Sequence, residues 1–221
     1  MARKHKTVFE VTDILRMFPT FVWKAELEPQ VHRRLNENIL STLVGIRQTQ
    51  PDLVSGQPWQ SDQDLHKLKE FGELVSCLND AIVSVLEFLK IGQEDFEITG
   101  IWANMNPPNA AHKMHSHPNN FLSGVYFVRT HEGADTINFH DPRSQTEIIR
   151  PPVMELTAEN TDQVVVRVKN GTILVFPSWL THSVDANQSD ETRVSVSFNV
   201  MFSAYPEKMS KPLWSATPQP Q

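Results

Sequence analysis

From Phe96 onward the chain carries one run of β-forming residues after another, separated by turn residues with no helical period between them. The runs are FEITGIWANMN (96–106), FLSGVYFVR (121–129), DTINFH (135–140), PVMELT (152–157), DQVVVRV (162–168), TILVFP (172–177) and TRVSVSFNVMF (192–202). Pro107-Pro108, Glu132-Gly133, Asp141-Pro142, Asn170-Gly171 and Asn187-Gln188 punctuate them. Strands joined this way bury their apolar faces by stacking sheet on sheet, which predicts a jelly roll or sandwich of seven or eight strands.

The first half reads differently. The opening residues look extended, and TFVWKAEL (20–27) alternates like a strand. A helix is predicted from near Pro29, with Val31, Leu35, Ile39, Leu43 and Ile46 on one face. Residues 50–60 read as a loop. A second, longer helix is predicted from a capping signal at Ser61 and Asp64. Its stripe runs Leu65, Leu68, Phe71, Leu74, Leu78, Ile82, Val85 and Leu89, it takes LHKLKEF (65–71) as one face, and it ends at Gly92. Such stripes need a partner surface, most simply a sheet. The expected organisation is a single α+β domain over 1–221. Residues 1–95 are mainly helical support, 96–203 the strand-rich core, and 204–221 a loose proline-rich tail into which Trp214 can tuck.

Composition narrows the function classes. The chain of 221 residues is 39% apolar and 21% charged, ordinary for a globular protein, with a net charge of −6. There is no basic field to grip a nucleic-acid backbone. One cysteine, Cys77, excludes an internal disulfide and reads as a small core residue of a protein in a reducing compartment. MARKHK is basic but no apolar run follows it, and no stretch approaches the roughly 20 apolar residues needed to span a membrane. The expectation is a soluble cytoplasmic protein with no nucleic-acid or membrane partner. Nothing in these features fixes an oligomeric state.

Five of the nine histidines fall between His112 and His140. His115 and His117 are two apart, so a strand would turn both imidazoles to one side, where they could meet a metal; a solvated edge or a core position is the plainer reading. His112, three from His115, falls on the opposite face of a regular strand. His182 follows the buried run TILVF and a Pro177-Ser178 break, at a rigid strand end suited to a third ligand or to a surface histidine. In RVSVSFN, Arg193, Ser195, Ser197 and Asn199 share one face and Val194, Val196 and Phe198 the other. An arginine drawn into such a strand wants an anion, and its fork suits a carboxylate, with Ser195 as an added donor; an exposed edge arginine is the alternative. Tyr126 could aim at the same carboxylate or be a core tyrosine. Asn104 and Asn106 point either inward to a ligand or outward to water. Asp141 offers a carboxylate, though Asp before Pro is more often a turn residue.

Taken together, WQSDQDL (59–65), WANMN (102–106), HSHPNNFLSGVYFV (115–128), INFHDPR (137–143), NGTILVFPSWLTHSV (170–184) and RVSVSFN (193–199) resemble the Fe(II)/2-oxoglutarate-dependent dioxygenases. The resemblance is to a 2-oxoglutarate-Fe(II) oxygenase family distantly similar to prolyl hydroxylases. It implies a double-stranded β-helix (jelly roll) with supporting helices outside. It also implies Fe(II) held by His115 and His182, and 2-oxoglutarate held at its distal carboxylate by Arg193 and Ser195. Tyr126 would assist, and Asn104 or Asn106 would lie near the cosubstrate. Where the wider superfamily has an acid, this chain has His117, so the expected third ligand is His117, with Asp141 as the alternative. The implied reaction consumes O2, releases succinate and CO2, and hydroxylates a small-molecule or amino-acid-like substrate. The loops at 50–60, 107–114 and 143–152 are the expected substrate contacts. The rival readings are a cupin-like metal enzyme and a non-catalytic metal- or ligand-binding jelly roll. A cupin expects a glutamate shortly after H-x-H, which PNNFLSG lacks, and gives no reason for Arg193-x-Ser195.

Overall fold

The computed structural model describes residues 8, 10–15, 17–91, 95–143, 149 and 151–203. Its strands are β1 (Trp23–Glu26), β2 (Trp59–Gln60), β3 (Phe96–Asn106), β4 (His112–His115), β5 (Leu122–Arg129), β6 (Thr136–His140), β7 (Gln163–Arg167), β8 (Thr172–Pro177), β9 (His182–Val184) and β10 (Arg193–Phe202). Two helices precede the core, α1 (Pro29–Arg47) and α2 (Gly72–Phe88). A six-stranded sheet runs β1-β8-β5-β10-β3-β2 and a four-stranded sheet runs β4-β9-β6-β7. All the strand pairings are antiparallel. This is the jelly roll with helical support expected from the sequence.

The large sheet separates two cores. Its outer face meets the helices: Leu35, Ile39 and Leu43 of α1 and Leu74, Leu78 and Ile82 of α2 pack with Tyr126, Val128, Ile173, Val196 and Phe198. Its inner face meets the small sheet, where Val125, Phe127, Leu174 and Phe176 pack with Ile137 and Phe139. Alternation along each strand thus sends odd and even residues into different environments. Gly124 lets the Phe198 ring lie against β5, since a methyl there would overlap both that ring and the Leu174 carbonyl.

The structure departs from expectation in several places. The second helix begins at Gly72, and Leu65–Lys67 and Lys69–Phe71 are short 3-10 turns. The cause lies upstream. The Ser61 hydroxyl accepts from the Ala103 amide instead of capping a helix, and the chain stays tied to β3 through the Ile101 amide donating to the Gln63 carbonyl. The expected end at Gly92 lies outside the described residues. Lys90, at φ 55°, takes the left-handed closing position, and the Ile91 amide reaches back to the Leu86 carbonyl. PVMELT forms no strand: Val153, Met154 and Leu156 are exposed, and Asn160 satisfies the local backbone at Thr157 and Glu155. The short strands β4 and β9 were not foreseen as separate elements. Residues 204–221, including Trp214, lie outside the described residues.

Tyr126 also needs correction. The resemblance places it beside the cosubstrate carboxylate, but it stands on the helix-facing side of β5, fully buried, as the core-tyrosine alternative has it. Its hydroxyl donates to Asn36 Oδ1 at 2.6 Å, and Asn36 Nδ2 donates to the Val128 carbonyl at 2.8 Å. Burial pushes the phenol's pKa far up. Tyr126 therefore locks α1 to β5. Tyr126→Phe should cost about 1–3 kcal/mol, because it leaves the Asn36 oxygen buried without a donor. It should leave 2-oxoglutarate affinity unchanged. Denaturant unfolding and calorimetric titration check the two halves of this expectation.

Candidate functional site

The site lies where the inner face of the large sheet meets the edge of the small one. Strands β4 and β9 pair so that His115 sits opposite His182. His117 follows just beyond β4, where its amide donates to the Ser178 carbonyl at 2.9 Å. The His115 and His182 ring centroids are 4.4 Å apart, and His117 lies 5.2 Å from each. One ligand atom from each histidine falls within 4.8 Å of the other two.

The far side of each ring is occupied. His115 Nδ1 donates to the Lys113 carbonyl at 2.7 Å and His182 Nδ1 to the Leu180 carbonyl at 3.0 Å. A carbonyl only accepts, so both rings carry their proton on Nδ1 and present the Nε2 lone pair. His117 Nδ1 meets Asn199 Oδ1 at 2.8 Å, and its Nε2 is buried without a partner. Three imidazoles with Nδ1 engaged and Nε2 turned inward suit a divalent transition metal, and the buried, unpartnered Nε2 of His117 fits such an occupant.

The fourth histidine of the cluster behaves differently from expectation. His112 lines the same cavity as His115 although they are three apart. A bulge explains it: three steps along β4, from His112 to His115, span two along β9, from Val184 to His182. His112 nonetheless stands outside the triad, because its Nε2 pairs with Asn106 Oδ1 at 3.0 Å.

Strand β10 supplies the next wall. Arg193, Ser195 and Ser197 line the cavity, and Asn106 and Asn104 of β3 lie opposite Arg193 and Ser195. Both asparagines face inward, with Trp102, and are at most 4% exposed. Asn104 accepts from Gln60 Nε2 at 2.7 Å and donates to Ser197 Oγ at 2.9 Å. Asn106 Nδ2 is buried with no acceptor. Arg193 is 3% exposed, donates to the Thr136 carbonyl at 3.0 Å, and lies over the Phe127 ring at 5.2 Å. Among the described residues no carboxylate forms an ion pair with it. Asp135, whose charge it feels, is paired with Arg167 at 2.7 Å. Burial pulls its pKa down to about 10, so it remains a cation at neutral pH. A buried guanidinium of this kind calls for an anion.

The cavity is partly open to solvent, and Val125, Ile137 and Val184 complete its lining. Asp141 is not part of it. Its carboxylate takes Arg143 Nε at 2.9 Å and Nη2 at 2.6 Å, and accepts from the Arg143 amide. That is a turn residue's role, so the alternative third ligand is engaged elsewhere. Gln60 falls in the stretch 50–60 that the sequence predicts as loop. It reaches the cavity because Trp59–Gln60 adds a two-residue strand to β3, an attachment with no periodic signal. Of the expected substrate loops, residues 144–148 and 150 lie outside the described residues.

Residues 100–199 match a family model described as "Putative 2OG-Fe(II) oxygenase". The chain is similar in structure to HygX from Streptomyces hygroscopicus, solved with nickel and 2-oxoglutarate bound. The TM-score is 0.59 and the identity 10% over 84% of each chain. A Pseudomonas putida prolyl-4-hydroxylase gives a TM-score of 0.55 and 14% identity over 83% of this chain and 93% of that one. SnoN, a non-heme alpha-ketoglutarate-dependent epimerase from nogalamycin biosynthesis, gives 0.59 and 12% over 91% of each. At these identities the likeness is one of fold. No curated protein matches the sequence. No helix among the described residues is long and apolar enough to cross a membrane.

Burial holds the pKa of His112 and of His182 down to about 4, from 6.5, and lowers that of His117. In the unfolded chain each regains its ordinary value. Between 6.5 and about 4 the unfolded state therefore binds protons that the folded state does not. The stabilisation is complete above 6.5, declines as pH falls, and is gone once the folded-state values are passed. The melting temperature of metal-free protein should fall across this window. The His112→Asn/His182→Asn double variant should fall less over the same interval, and equal losses would contradict the burial account.

Proposed function

We propose that the chain is a 2-oxoglutarate- and Fe(II)-dependent oxygenase in which His115, His117 and His182 hold the iron while Arg193 anchors the cosubstrate for oxidation of a small molecule. One observation carries the reading: three imidazole ligand atoms within 4.8 Å share a cavity with a buried arginine that has no carboxylate partner among the described residues. With 2-oxoglutarate and O2, bound Fe(II) supplies the oxidising chemistry, and succinate and CO2 leave.

The chain's own groups do the positioning. Arg193 presents its fork to the distal carboxylate of 2-oxoglutarate, and Ser195 adds a hydroxyl donor. The free Asn106 amide, across the strand pair from Arg193, offers a further donor to the same dianion. Val125, Ile137 and Val184 form an apolar wall that keeps water from the reacting end. The Gln60–Asn104–Ser197 chain gives the opposite side a polar, hydrogen-bonding surface. Such a wall favours a small substrate with hydroxyl or amide groups, an amino-acid-like molecule among them. Hydroxylation is the outcome we assign, although epimerisation is known on this fold from SnoN.

Two experiments test the assignment. Arg193→Ala, with its fold verified by circular dichroism, should weaken 2-oxoglutarate binding by on the order of 2–5 kcal/mol, the usual cost of truncating one side of a buried charge pair. Metal affinity should survive, since the ligands lie on other strands. Calorimetry on metal-loaded protein reads both quantities, and unchanged 2-oxoglutarate affinity would remove the cosubstrate site. Separately, His117→Ala should lose Fe(II) strongly while Asp141→Ala and His112→Ala retain it. Loss in Asp141→Ala with retention in His117→Ala would reverse the choice of third ligand.

A further inference from the structure

The three histidines differ in what stands behind them. His115 and His182 each rest on a main-chain carbonyl two residues earlier in their own segment. His117 alone is oriented by a side chain, the Asn199 carboxamide on β10, through Nδ1 and Oδ1 at 2.8 Å. That same oxygen accepts from Ser123 Oγ of β5 at 2.7 Å. Ser123 is fully buried, and Ser123 and Asn199 face each other across the β5–β10 pair. Ring packing closes the remaining freedom: Trp102, 6% exposed, stacks on His117 at 5.7 Å and 25°.

We propose that Asn199, held by Ser123, is the positioning residue that makes His117 a metal ligand. The inference rests on the triad reading given above. The argument concerns the tautomer. An imidazole can offer Nε2 to a cation only if its proton sits on Nδ1, and Nδ1–H needs an acceptor. A carboxamide can present either its oxygen or its NH2 group. The Ser123 hydroxyl, donating to Oδ1, holds the oxygen towards the ring and leaves NH2 elsewhere. The relay Ser123 to Asn199 to His117 therefore selects the ligating tautomer without introducing a charge. In the Fe(II)/2-oxoglutarate-dependent dioxygenases that the sequence resembles, an acid stands in the place of His117; here a neutral ligand would be backed by a neutral acceptor. The outer partner then has a large share in setting ligand strength, because outer hydrogen bonds tune the basicity of metal-bound imidazoles.

Co(II) alone serves as the probe, titrated calorimetrically and by its visible d–d absorption, with no cosubstrate and no turnover. Asn199→Leu removes the acceptor and should weaken Co(II) binding by roughly 10–100-fold and alter the absorption bands. Asn199→Asp, an acceptor-only side chain, should restore affinity to the wild-type level or above it. Ser123→Ala frees the carboxamide to turn and should give a smaller loss in the same direction; it is informative even if Asn199→Leu fails to fold. The His182→Ala protein is run alongside. If wild-type protein takes up no Co(II), or His182→Ala binds it as tightly, the triad reading falls and the inference with it. If wild type binds, His182→Ala does not, and folded Asn199→Leu and Ser123→Ala keep wild-type affinity and spectrum, only the role of Asn199 is overturned. Loss of Co(II) in Asn199→Asp would overturn it too.

Discussion

Strand β10 has to satisfy two opposed surroundings with one backbone. Val194, Val196, Phe198 and Val200 enter the core beneath the helices, and Arg193, Ser195, Ser197 and Asn199 face the space between the sheets. A shift of one residue would put an arginine and a carboxamide into the helix-facing core, at a cost of several kcal/mol per unpaired polar group. The register of β10 against β3 and β5 is therefore strongly specified, and every polar group of the site inherits it. Asn106 comes to lie opposite Arg193, Asn104 opposite Ser195, and Ser123 opposite Asn199.

The site concentrates features that a stable core would avoid. A guanidinium is buried over an aromatic ring, an amide donor is unpaired at Asn106, and an imidazole nitrogen is unpaired at His117. Each would be costly with nothing to meet it. Together these groups would be satisfied by an anion at Arg193 and a cation at His117 Nε2. The large hydrophobic core on the helix side, locked by the Tyr126–Asn36–Val128 hydrogen bonds, is what allows the inner face to carry these groups.

Much of this could be read in the sequence because long strands leave a clear period. The runs at 96–106, 172–177 and 192–202 became β3, β8 and β10 almost to the residue. The facing of Arg193 and Ser195 followed from alternation alone. The failures have a common physical cause in partners distant along the chain. The side that Tyr126 faces is not legible in the sequence, because it depends on the pairing of β5 with β10, which the local pattern does not contain. Ser61 carries a capping signature, but its hydroxyl is taken by the Ala103 amide. His112 entered the cavity through a bulge, and strands of four and three residues, β4 and β9, are too short to show a period. The partner of His117, Asn199, lies on a different strand and is visible only once the sheets are stacked.

The pairing of His115 with His182 has a mechanical side. The two residues are neighbours across a short ladder at the margin of the smaller sheet but far apart along the chain. An ion coordinated by both ties the two ends of that long intervening loop together, as a crosslink would, and restricts the unfolded chain more than the folded one. With a single cysteine, the protein has no internal disulfide to do this. A metal held there would thus also act as a removable staple between these two short strands.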